Sequence, residues 1–291
     1  MKNHWLAVIV LFLVAGAWGA SFTIVKSVLT RIPPEPFIVL RFTIAGIVLL
    51  AVALTSRKLP RSALRPGLIL GALIFSGYWL QTRGLMSISP SRSAFLTGLY
   101  VVMVPFCDRL LYAKRIGARA WIGCVLAAAG TTLLIGGIDA RAGFGDILTI
   151  ICAICFALHM VLSAKYSTAT PALGLAAVQV IVVGVAAIPP SLFVPRPHLT
   201  PFVSTVILFT AIVTTALAFV ALMWGQSHVT ATEAAVILAF EPMAASITSL
   251  VFQHEPVTFG FVAGASMILG AMVISQLPAS RRRIAGWTLT G

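Results

Sequence analysis

Glu241 directly precedes Pro242 in the middle of the apolar run 231–252. An ionised carboxylate in hydrocarbon is costly, so Glu241 must be protonated, paired or wetted by a cavity. Two roles fit it equally. One is contact with a substrate amine or carriage of a proton; the other is a protonated carboxyl bonded to a backbone carbonyl freed by Pro242. His159 lies in the run 145–165, where it could contact substrate and titrate near neutral pH or bond a neighbouring helix as a neutral ring. Tyr78 and Tyr100 fall inside the runs 64–86 and 92–112, and a hydroxyl there needs an internal partner or an aqueous cavity. Gln81, Phe219 and Trp224 complete the candidate substrate-binding set; Trp224, near the end of its run, is also placed to be an interfacial anchor like Trp5. Pro105 and Pro242 each remove a backbone donor at similar depth, as gating bends or as fixed kinks that shape a cavity. Arg41 and Lys26 read as snorkelling side chains. For Arg41, pairing with Glu35 is preferred over binding a substrate carboxylate. Thr82, Gln179, Thr214 and Thr215 read as polar contacts between helices.

Catalytic and metal chemistry find little support. His254-Glu255 begins like a zinc-binding HExxH, but position 258 is Thr. Cys152 and Cys155 have C-x-x-C spacing without a second pair, inside an apolar run, and read as small buried residues. Asp108, Asp139 and Asp146 are scattered at the ends of runs, and no Gly-x-Ser-x-Gly occurs. No glycine-rich loop ends in Gly-Lys-Ser/Thr, so ATP hydrolysis is not expected in this chain. Neither a cofactor nor a metal is expected.

The elements that must position these residues follow from composition. The 291 residues are 59% hydrophobic and 9% charged, with mean hydropathy +1.04. Ten apolar runs of spanning length can be read: 5–28, 36–54, 64–86, 92–112, 119–135, 145–165, 172–193, 201–224, 231–252 and 258–277. In a bilayer the backbone must satisfy its own hydrogen bonds, so these runs become helices. The first is too long for a signal peptide's apolar region and is read as a retained helix. The net charge of +13 raises nucleic acid as a partner, but the charge is distributed as a topology signal. With the N-terminus inside, thirteen basic residues fall on inside segments and five on outside loops. That bias puts both termini in the cytoplasm. Membrane lipid is then the polyanion at hand, and no nucleic-acid partner is expected.

A weak self-similarity divides the chain. Residues 78–96 recur at 219–237, with Gly84 on Gly225, Ala94 on Ala235, Ser89 on Thr230, and Arg92 on Glu233 with its sign reversed. Earlier in the chain Trp18 meets Phe156, Ser21 meets His159, and Arg41 meets Gln179. The expected units are residues 1–138 and 139–291, with five spans each. An odd span count makes the second copy enter the membrane from the opposite side, and such inverted repeats place a substrate site near the midplane between them.

Several motifs carry a resemblance. They are Trp18-Gly19-Ala20-Ser21-Phe22, then Lys26, the prolines at 33, 34 and 36, and Arg41-Phe42 before Ala45-Gly46. The Ser/Thr-x-Ser/Thr-x-x-Ala segments at Ser89 and Thr230 follow, with Pro105 and Pro242 in the next runs, and Glu255 before a glycine-rich last helix. In that order they resemble the EamA family of the drug/metabolite transporter superfamily. The first half departs by holding Lys114-Arg115 near where the second holds Glu255. The resemblance implies an all-α integral membrane protein, ten transmembrane helices as two inverted five-helix repeats, in the cell inner membrane. It also implies export of a small-molecule substrate. The segment from Phe95 to Pro105 is similar to the amino-acid exporters of the family, which implies aromatic or other apolar amino acids. A drug or other metabolite exporter is the rival reading, and a membrane sensor or scaffold without a central cavity is a second. A monomer is expected; Gly67-x-x-x-Gly71 and Gly260-x-x-x-Gly264 are read as packing faces within the protein, with a dimer contact as the alternative.

Overall fold

Helix starts explain much of the repeated sequence. Ser89 is extended and its side chain accepts from the Arg92 backbone N–H, with Pro90 as the first helical residue. Thr230 does the same for Glu233, whose carboxylate accepts in return from the Thr230 N–H at 2.7 Å. Both hydroxyls satisfy a donor that has no partner within its helix. The reversed charge has a local cause: Glu233 closes the capping box, whereas Arg92 reaches across to Asp146 at 2.6 Å.

The computed structural model describes residues 2–113, 116–134, 143–253 and 258–276. Lys114, Arg115, Glu255 and the basic cluster Arg281 to Arg283 lie outside the described residues. Among those described there is helix and no strand. The helices are α1 (Lys2–Leu29), α2 (Pro34–Thr55), α3 (Leu64–Leu85), α4 (Pro90–Gly98), α5 (Tyr100–Tyr112), α6 (Ala118–Leu134) and α7 (Phe144–Ser167). The second half has α8 (Ala172–Ala186), α9 (Ile188–Ser191), α10 (Pro201–Ala211), α11 (Ala218–Gln226), α12 (Ala231–Leu238), α13 (Phe240–Gln253) and α14 (Phe259–Gln276). Among the described residues, eight helical stretches are long and apolar enough to cross a membrane. The apolar stretches of α6 and α14 are shorter. An exposed apolar belt including Ile9, Leu13, Ile47, Val125, Leu208 and Val273 suits contact with lipid.

Besides the break between α8 and α9 at Ala187, three rods are interrupted. α4 passes into α5 at Leu99, and α12 passes into α13 at Ala239. Between α10 and α11 the residues Ile212–Leu217 form a π-helical turn. Pro242 has no N–H to close the helical bond to the Leu238 carbonyl, which accounts for the second break. Pro105 lies within α5, so the backbone there yields at Leu99 and not at the proline. The two broken rods cross at their breaks: a Cβ on Gly98 would stand 3.2 Å from the Pro242 ring.

The small-residue faces are used inside the molecule. Gly67 and Gly71 of α3 meet Val178 and Val182 of α8. Gly260 of α14 meets the Leu133 carbonyl of α6, and a Cβ on Gly130 would come within 2.8 Å of the Gly264 carbonyl oxygen.

Candidate functional site

The first-helix motif Trp18 to Phe22 holds its place for a physical reason. Gly19 brings the backbone of α1 directly onto α13 at Glu241: an added Cβ would lie 2.7 Å from Ala244 Cβ and 2.9 Å from the Ala245 nitrogen. Trp18 Nε1 donates to the Thr214 carbonyl in the π-helical turn at 2.8 Å. Ser21 and Phe22, one turn further, line a cavity.

That cavity is walled by residues of α1, α2, α3, α5, α7, α11, α12 and α13. Tyr78, Gln81, Tyr100, His159, Phe219 and Glu241 all line it, so six of the candidate substrate residues come together from distant parts of the chain. Aromatic rings make much of its wall. Tyr78 packs edge-on to Phe42 at 5.0 Å and to Phe156 at 5.5 Å between ring centroids, and stands 6.4 Å from Phe219. Gln81 Nε2 donates to Thr97 Oγ1 at 3.0 Å. His159 Nε2 and Gln179 Oε1 are 2.8 Å apart, and the Gln179 amide nitrogen is buried without a partner. The free volume of the cavity is about 60 Å³, room for a few waters at ~10–15 Å³ each. A solute of amino-acid size requires it to widen.

Trp224 is placed elsewhere. Phe219 and Leu222 of α11 face the cavity, and a residue five positions beyond Phe219 points well away from that face. Trp224 instead stacks on His228 at 4.6 Å. It lies beside a larger, open cavity of about 680 Å³, lined by residues including His4, Asp108, Tyr112, Lys165, Gln226 and Glu233. These belong to the N-terminal ends of α1 and α12 and the C-terminal ends of α5, α7 and α11. Between the two cavities is a buried knot. Gln226 Nε2 donates to the Met160 carbonyl at 3.2 Å, and Ser163 Oγ donates to Gln226 Oε1 at 2.5 Å.

Arg41 and Glu35 are not paired with each other. Glu35 accepts from Arg83 Nε at 2.6 Å and from Trp79 Nε1 at 3.2 Å. Arg41 points inward and lines the cavity at 3% exposure. Its Nε donates to Thr215 Oγ1 at 2.7 Å, and its Nη2 donates to the Thr214 hydroxyl at 3.0 Å and carbonyl at 3.2 Å. The guanidinium carbon stands 5.1 Å from the Tyr78 ring centroid. Sequence reasoning assigned Arg41 to the membrane surface because its distance along α2 says nothing about which way it faces. The adjacent pair Thr214-Thr215 in an apolar run was the available signal. Lys26, also read as snorkelling, donates to the carbonyls of Leu85, Met86 and Ile88 at the end of α3.

The family model of EamA-like transporters matches the chain twice, over residues 5–136 and 143–276. An uncharacterized transporter of Archaeoglobus fulgidus is 31% identical over 270 residues, covering 92% of this chain and 84% of that protein. The uncharacterized transporter YoaV of Bacillus subtilis is 22% identical, covering 92% and 95%. A transporter of S-adenosylmethionine and S-adenosylhomocysteine from Chlamydia muridarum is 31% identical over 110 residues, covering 35% of this chain and 34% of its own. A solved crystal structure shares the fold, with a TM-score of 0.78 at 18% identity over 94% of this chain and 97% of that one. The helices of spanning length, the cavity among them and the double match along the sequence lead to one assignment: the chain belongs to the EamA-like transporter family, as an all-helical integral membrane protein.

Proposed function

We propose that the protein exports small metabolites, aromatic and apolar amino acids foremost, across the cell inner membrane as a monomer with both termini in the cytoplasm. Ten spans arranged as two inverted five-helix repeats, 1–138 and 139–291, would give alternating access to one central site. The observation that carries this reading is the cavity lined by Tyr78, Gln81, Tyr100, His159, Phe219 and Glu241, which draws on both halves of the chain and adjoins both broken rods. Two facts support the repeats. The family model begins at residue 5 and again at residue 143. In addition, α1 runs away from the end of the molecule that holds His4 and Lys165, whereas α7 runs toward it. The breaks at Leu99 and Ala239, close to Pro105 and Pro242, supply bending points for gating.

The test is flux into liposomes containing purified protein, with labelled phenylalanine, tryptophan, leucine and a panel of unrelated solutes. Saturable flux of an aromatic or apolar amino acid is expected, and its absence refutes the amino-acid reading. A second reading has a specific motive, the Chlamydia relative. S-adenosylmethionine joins an amino-acid group to an aromatic base, and the cavity offers charged groups beside aromatic rings. It belongs in the same panel. A sensor or scaffold predicts no passage. Cysteine substitutions at Tyr78, Tyr100 and Glu241 that label from neither side of the membrane would favour it.

A further inference from the structure

The central cavity contains two ionisable side chains, one basic and one acidic, that do not pair. Arg41 enters from α2 and Glu241 from the first turn of α13, and both line the cavity. Arg83 pairs with Glu35 and Arg92 with Asp146, whereas among the described residues neither Arg41 nor Glu241 is in an ion pair. The partners of Arg41 are two threonine hydroxyls, one backbone carbonyl and aromatic rings, none of which carries a negative charge. A guanidinium with so little water and no counter-ion is expensive to hold. Its surroundings nevertheless fix it in place. The π-helical turn Ile212–Leu217 presents both the Thr214 carbonyl and the two hydroxyls to it. Such turns recur at functional sites because they reshape the local backbone bonding. A fixed guanidinium is suited to forked recognition of a carboxylate.

At the other pole, Glu241 and Leu238 share the cavity wall. Pro242 leaves the Leu238 carbonyl without its usual helical donor. A carboxylate and a carbonyl that has lost this donor, on residues of one cavity wall, are acceptors suited to an ammonium group. Tyr78, Phe156 and Phe219 line the same cavity as the two poles, with Tyr78 packed near both other rings.

We infer that Arg41 and Glu241 form a two-pole clamp for a zwitterion: Arg41 takes the carboxylate of the solute, Glu241 its ammonium, and the aromatic wall the rest. The inference rests on the transport reading above. It adds what that reading does not contain, a residue for the carboxylate and an orientation for the solute. It also predicts that a solute carrying one of the two charges is a poor ligand.

The experiment uses the full chain in liposomes. Uptake of labelled phenylalanine is challenged with three competitors: unlabelled phenylalanine, phenethylamine (no carboxylate) and 3-phenylpropionate (no ammonium). With the unmodified protein, each single-charge analogue should compete at least tenfold more weakly than phenylalanine. Arg41→Gln should weaken phenylalanine at least tenfold and leave inhibition by phenethylamine unchanged. Glu241→Gln should weaken phenylalanine and leave 3-phenylpropionate unchanged. Arg41→Lys, which keeps the charge but not the fork, should recover part of the loss. Normal phenylalanine affinity in Arg41→Gln overturns the clamp. So does an equal loss of phenylalanine and phenethylamine in a variant that elutes and melts like the parent, since that marks a purely structural arginine. If Arg41→Gln does not fold, Thr215→Val carries the same comparison. If the unmodified protein moves no phenylalanine, the amino-acid reading fails by itself. The clamp is then judged with S-adenosylmethionine, which carries the same two groups, and absence of flux for both overturns it.

Discussion

Replacing Gly19 by alanine adds one carbon where α1 has no room for it. The new Cβ would stand 2.7 Å from Ala244 Cβ and 2.9 Å from the Ala245 nitrogen, where ordinary contact begins at 3.4 Å. The helices must therefore part by at least about 0.7 Å along that line, which is 3.4 less 2.7. The Ala245 nitrogen and the Glu241 carbonyl, which the Cβ would also meet, are backbone, so no side-chain rotation relieves the contact. Overpacking of this type costs ~1–3 kcal/mol. Alanine returns ~0.8–1 kcal/mol through its better helix propensity. We expect a net loss of ~0–2 kcal/mol, and phenylalanine affinity weakened about tenfold, equivalent to ~1.4 kcal/mol, because Glu241 moves with α13. The control is Gly16→Ala, one turn earlier in the same helix. There the nearest neighbour of an added Cβ is Phe240 Cε1 at an ordinary 3.7 Å. It should gain what helix propensity offers. Thermal unfolding of both variants in one detergent, with flux measured in parallel, decides the matter. A Gly19→Ala midpoint equal to or above that of Gly16→Ala refutes the close-packing account.

Three further outcomes are expected. Glu241→Gln should abolish the pH dependence of net flux measured at saturating phenylalanine; an unchanged pH profile excludes Glu241 as proton carrier. Thr215→Val keeps the shape of the side chain and removes the acceptor for Arg41 Nε. Bonds to charged groups contribute ~1.5–3 kcal/mol, so phenylalanine affinity should fall about tenfold or more, and Thr205→Val at an exposed site should do nothing. Arg83→Ala leaves the Glu35 carboxylate buried without its ion partner. Because 43% of the Arg83 side chain is exposed, the loss should be about 2 kcal/mol, below the ~3–5 kcal/mol of a fully buried pair. Adding Glu35→Gln should recover part of it in a double-mutant cycle.

Helical membrane architecture was legible because the bilayer permits little else for a chain of this composition. The shared wall of Tyr78, Gln81, Tyr100 and Phe219 could be approached from sequence because each is a polar or aromatic group far from a span end, where only a cavity or a partner makes it tolerable. Trp224, at the end of its run, falls outside that logic, and its place along the span does not give its face. Arg41 shows it again: its environment depends on a π-helical turn more than 170 residues away, and π geometry has no sequence signature comparable to a proline or a cap. Pro105 marked the right rod but not the residue at which it breaks. The resemblance of Ser89 to Thr230 was a faint repeat in sequence and has a plain local meaning in the structure, since both begin short helices.

The crossing of the two broken rods has a mechanical consequence. α13 has 14 residues, or about 21 Å at ~1.5 Å per residue. A swing of ~10° about Ala239 would carry its far end through ~3–4 Å, the width of a methyl group or a water. That displacement needs a change in only a few backbone angles and leaves α12 where it is. Because even a Cβ on Gly98 would stand only 3.2 Å from the Pro242 ring, a swing of α13 toward α4 would press on the other rod near its own break. In such a swing the two breaks would act as meshed pivots, and motion on one side of the cavity would set the position of the other.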